Sequence, residues 1–68
     1  MSANNNHLAA ELLAVADGLR QVRAAVARLV HSDHAALAGQ PATRTLLVEG
    51  LDVADALEVI AQRIATEN

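Results

Sequence analysis

Four carboxylates, Glu49, Asp52, Asp55 and Glu58, recur every three residues in the C-terminal half of the chain. Oxygen ligands at that spacing suit a hard divalent cation such as magnesium, provided that a second acidic helix faces them. The N-terminal half offers only Glu11, Asp17 and Asp33, widely scattered. The array therefore reads first as a solvated acidic face, and second as a metal site. His31 and His34 form an H-x-x-H around Asp33, a spacing that can present two imidazoles from one side of a helix. No third ligand is set by the sequence, and His7 is far away. A helix end with imidazoles near the negative pole of its dipole accounts for the pair more simply. Arg20, Arg23 and Arg28 could hold an anion, or form the complement of the four carboxylates.

The hydroxyls Ser2, Ser32, Thr43, Thr45 and Thr66 each stand where capping or a helix end explains them. There is no nucleophile–base pairing and no glycine-rich phosphate loop. No catalytic residue is assigned, no cofactor is expected, and the chain reads as a non-enzyme.

Composition narrows the partners. The 68 residues carry a net charge of −3, no cysteine and no aromatic side chain, and all five basic residues are arginine. Phosphate binding needs clustered positive charge, and unpaired bases need aromatic platforms, so nucleic acid and anionic membrane are not expected partners. The first residues, Met-Ser-Ala-Asn-Asn-Asn-His, lack the basic region of a signal peptide. Cytoplasmic is the default location. The alanine- and arginine-rich, lysine-free composition suggests a GC-rich bacterial source. A chain of this size rarely gains more than about 3–5 kcal/mol from its own core without disulfides, metal or association, which leaves association as the support.

The elements that position these residues follow from apolar spacing. Leu8, Leu12, Val15, Leu19, Val22, Val26 and Leu29 fall at alternating steps of four and three, the signature of a helix seam. Leu46, Gly50, Val53, Leu57, Ile60 and Ile64 repeat that rhythm. Residues 1–6 read as a disordered leader with Asn5 or Asn6 capping the first helix. That helix is expected over about 7–38, ending at Gly39, with a break near Ser32 as the competing reading. A turn at 39–42 leads to a second helix over about 43–66, opened by Pro41. The unbroken seam favours continuity through Gly50 over a restart at Asp52.

The fold expected is all-α, an antiparallel two-helix hairpin over 7–68. Folding about Gly39–Pro41 pairs residues whose numbers add to about 79–81. Val26 then meets Val53, Val22 meets Leu57, Leu19 meets Ile60 and Val15 meets Ile64, with Arg28 near Asp52, Arg23 near Glu58 and Asp17 near Arg63. Leu8 and Leu12 find no cover within one chain, and a second hairpin would supply it in a four-helix bundle. The expected function is a small interaction or regulatory module acting as a homodimer, with another protein as a further partner. The alternative is a metal-binding bundle or enzyme using the four carboxylates, and the third is an RNA-binding bundle.

Overall fold

The computed structural model describes residues 2–32 and 35–67. Three helices follow in order: α1 over Ser2–His31, the single turn α2 over Ala35–Ala38, and α3 over Pro41–Thr66. The two long helices run antiparallel along a rod of 49 × 14 × 12 Å. No strand occurs among the described residues, and no helix among them is long and apolar enough to cross a membrane.

Helix α1 starts earlier than the sequence suggests. Residues 2–6 are not a leader, because the helix already includes them. Asn5 gives the reason: its Nδ2 donates to the Glu67 carbonyl at 2.8 Å, fastening the start of α1 to the end of α3. A tertiary contact of this kind overrides the weak helix propensity of an asparagine run.

The same helix also ends earlier than expected. Its terminus is at His31 rather than near 38, as the competing reading placed it. The Ser32 hydroxyl donates to the Arg28 carbonyl at 2.9 Å, and the Ser32 backbone N–H is shared between the carbonyls of Arg28 and Leu29. Those bonds satisfy carbonyls that a longer helix would have used.

Between α2 and α3 the break is set by proline. Gln40 is extended, with φ −79° and ψ 132°, because the residue before a proline is pushed out of the helical region. Pro41 then opens α3, which passes through Gly50 without interruption to Thr66, as the seam implied.

The shortened α1 moves the register. His31 and Pro41 are now the facing ends of the two helices, and their numbers add to 72 rather than to 79–81. Asn5 with Glu67 and Arg23 with Gly50 fit the new register closely, while the long Arg20 side chain reaches past its level to Asp55 and Glu58. The layers expected at 79–81 are replaced accordingly. So are the expected pairs Arg28–Asp52, Arg23–Glu58 and Asp17–Arg63, none of which occurs among the described residues.

What lies between the helices is small. Ala9 and Ala16 on α1 meet a stripe of Thr43, Gly50, Ala54 and Ala61 on α3, and these are the buried residues. Among the described residues no large side chain is fully buried. Each buried alanine directly follows a seam residue: Ala9 after Leu8, Ala16 after Val15, Ala54 after Val53, Ala61 after Ile60. The contact line within the hairpin is thus one residue over from the seam.

Candidate interaction face

A step back by one residue turns about 100° around a helix. In an antiparallel pair, the same step on both helices turns toward the same side of the pair. The two seams therefore emerge on one common face. From α1 it takes Leu8, Leu12, Val15, Leu19, Val22, Val26 and Leu29. From α3 it takes Leu46, Val53, Leu57, Ile60 and Ile64, with Gly50 in their line.

Exposure follows that geometry. Val15, Val22, Val53 and Ile60 are 57, 54, 50 and 46% exposed, and Leu8 and Leu29 are similarly open. Leu12, Leu19, Val26, Leu46, Leu57 and Ile64, nearer the contact line, are half-buried. Toward the turn the face sinks into a depression of about 570 Å³, with Leu19 on one bank and Leu46, Gly50 and Val53 on the other. Glu49 and Asp52 stand at its rim.

The glycine in this face has a specific neighbour. A methyl group on Gly50 would come within 3.3 Å of the Arg23 Cδ. The Arg23 stem crosses α3 at that point, and its Nε donates to the Leu47 carbonyl at 2.9 Å. Burial of the arginine's carbon stem against the bare backbone leaves its polar head paired.

The opposite side of the hairpin carries the ion pairs, together with the exposed Leu13, Val48, Leu51 and Val59. Arg20 Nη2 donates to Asp55 Oδ1 and to Glu58 Oε2, each at 2.8 Å. The hydrogen bond to Glu58 and then that to Asp55 hold the guanidinium above its ordinary pKa. Gln21 donates to Asp17 at 2.8 Å, and His7 lies 3.2 Å from Glu11 one turn along α1.

The carboxylate array is divided by this arrangement. A three-residue step falls about 60° short of a full turn, so four such residues spread over about half of the circumference. Asp55 and Glu58 reach Arg20, while Glu49 and Asp52 edge the depression. Among the described residues no three histidine or carboxylate side chains come together to hold a metal ion. His31 is exposed at the end of α1, and Asp33 and His34 lie outside the described residues. Arg20 and Arg23 are drawn to α3, which leaves no three-arginine patch.

Reasoning from the size of side chains missed the alanine line. Its signal is in the sequence all the same: Ala9 to Ala16, and Ala54 to Ala61, are exact seven-residue repeats beside the seam. In comparisons with known proteins, no family model, no curated protein and no solved structure matched the chain.

Proposed function

We propose that the protein is a non-enzymatic interaction module that acts as a homodimer, two hairpins closing face to face into a four-helix bundle. A cytoplasmic setting, and a further protein partner bound on the outer surface of the bundle, belong to the same reading.

One observation carries it. The hairpin buries alanines internally and leaves Leu8, Val15, Val22, Leu29, Val53 and Ile60 exposed on one continuous face. Fully burying such a side chain is worth about 1.5–3 kcal/mol, so covering the exposed half of one is worth roughly 1 kcal/mol. Leu8, Val15, Val22, Leu29, Val53 and Ile60 from two copies then supply on the order of 12 kcal/mol, against an association cost of about 4–15 kcal/mol. The half-buried seam residues add to the favourable side.

A second copy suits the face in extent. From Leu8 to Leu29 the seam runs about 32 Å at 1.5 Å per residue, and two helices side by side are about 20 Å across. That is on the order of 600–700 Å² per copy, near the roughly 800 Å² per partner of a standard stable interface.

The test is mass in solution. Light scattering at micromolar concentration is expected to give twice the 7.1 kDa chain mass. Val53→Asp, which sets a charge in the centre of the face, is expected to abolish the dimer. A folded, helical 7.1 kDa monomer of the unaltered chain would overturn the proposal.

A further inference from the structure

We infer that the two copies meet with their turns at opposite ends, so that Ile60 of each fills the depression beside Gly50 of the other. This rests on the dimer proposed above and goes beyond it by assigning the symmetry axis and the occupant of the depression.

The register supplies the first part of the argument. Helix ends whose numbers add to 72 put seam residues of α1 about level with seam residues of α3. Leu8 is level with Ile64, Leu12 with Ile60, Val15 with Leu57, Leu19 with Val53, Val22 with Gly50, and Val26 with Leu46. The face is a ladder of these rungs, and the rungs differ in bulk. Leu12 with Ile60 is among the largest. Val22 with Gly50 is the smallest, and the depression, which runs along α3 from Ala42 to Ala56, has Gly50 in its lining at that level.

Two face-to-face arrangements have twofold symmetry. With the axis along the helices the turns lie together and every rung meets its own copy. The bundle would then hold two valines and two glycines at one level and two leucines and two isoleucines at another. With the axis across the helices the ladder is reversed. The Val22–Gly50 rung meets the partner's Leu12–Ile60 rung, the Val26–Leu46 rung meets Leu8–Ile64, and Val15–Leu57 meets Leu19–Val53. Each of these six rungs finds a partner, and the smallest is set against one of the largest. Interiors pack to uniform density, which selects the second arrangement. Each copy carries the depression beside Gly50 and the bulkier Leu12–Ile60 rung, and the reversal brings each such rung to the partner's depression.

The turns report the choice directly. The chain has no cysteine, and Gln40, in the turn and exposed, accepts one. A spin label on Gln40→Cys is expected to give an intermolecular distance above about 40 Å by pulsed dipolar spectroscopy, because the labels sit at opposite ends of a rod 49 Å long. A distance below about 25 Å in a protein of dimer mass overturns the arrangement and leaves the dimer standing, since neighbouring helices are about 8–10 Å apart. Absence of intermolecular coupling together with a 7.1 kDa mass overturns both.

Discussion

Gly50 and Arg23 act as one unit. A glycine inside a helix costs roughly 1 kcal/mol relative to alanine, and here the missing side chain gives the arginine stem its track across α3. Gly50→Ala alone is expected to gain less than that amount, because the new methyl meets the Arg23 Cδ at 3.3 Å. In an Arg23→Ala background the same substitution is expected to recover the full gain of about 1 kcal/mol. Urea unfolding of the four proteins in a double-mutant cycle measures the difference, and strict additivity would refute the coupling.

Arg20 works differently, as a single cation shared by two carboxylates on the outer side. Its pKa is raised, so its contribution is complete at every pH below that of the unfolded guanidinium and lost only as pH rises through the higher folded value. Titration within the neutral range leaves its charge untouched. Arg20→Gln is expected to lower the melting temperature more at about 0.01 M salt than at about 1 M, where the screening length falls to about 3 Å. An equal loss at both would show that the carbon stem, not the charge, is what matters.

The long elements take their limits from a few residues. Pro41 and the uninterrupted seam foretell α3 at both its start and its passage through Gly50, because backbone restriction and apolar spacing are local properties. The ends of α1 were less legible. Its start depends on Asn5 reaching Glu67, a contact across the whole chain that no local pattern encodes. Its stop falls beside Ser32, whose hydroxyl bonds the Arg28 carbonyl, a local detail that apolar spacing does not carry.

The carboxylates show the same limit on the side of chemistry. Their spacing was plain in the sequence, whereas their partition between Arg20 and the depression came from the turn of the helix. The alanine lines set how closely the helices approach, and that gives a clear contrast. Ala54→Leu, at a fully buried position, is expected to destabilise by about 1–3 kcal/mol through overpacking. Ala24→Leu, at an exposed site on α1, should change stability by no more than about 0.5 kcal/mol. Chemical denaturation checks both, and equal effects would mean that the alanines do not set the spacing.

At the scale of the molecule, a rod that buries no large side chain of its own has little with which to oppose the chain entropy of 68 residues. Folding and assembly are then a single equilibrium in the proposed dimer. The melting temperature followed by circular dichroism is expected to fall on dilution, with a hundredfold dilution equivalent to about 2.7 kcal/mol of lost stability. A melting temperature independent of concentration, in a protein that is otherwise dimeric, would mean that each hairpin stands alone.

In the proposed dimer, the contact of small side chains between α1 and α3 has a consequence for the lifetime of each copy. A newly made copy without a mate is an open substrate for proteases, since a chain unfolded in part of its population is degraded in proportion to that population. On that proposal, survival depends on encounter with another copy. Low expression would give disproportionately little protein, and a pulse of synthesis would protect its own product. The number of molecules present would set how long each one lasts.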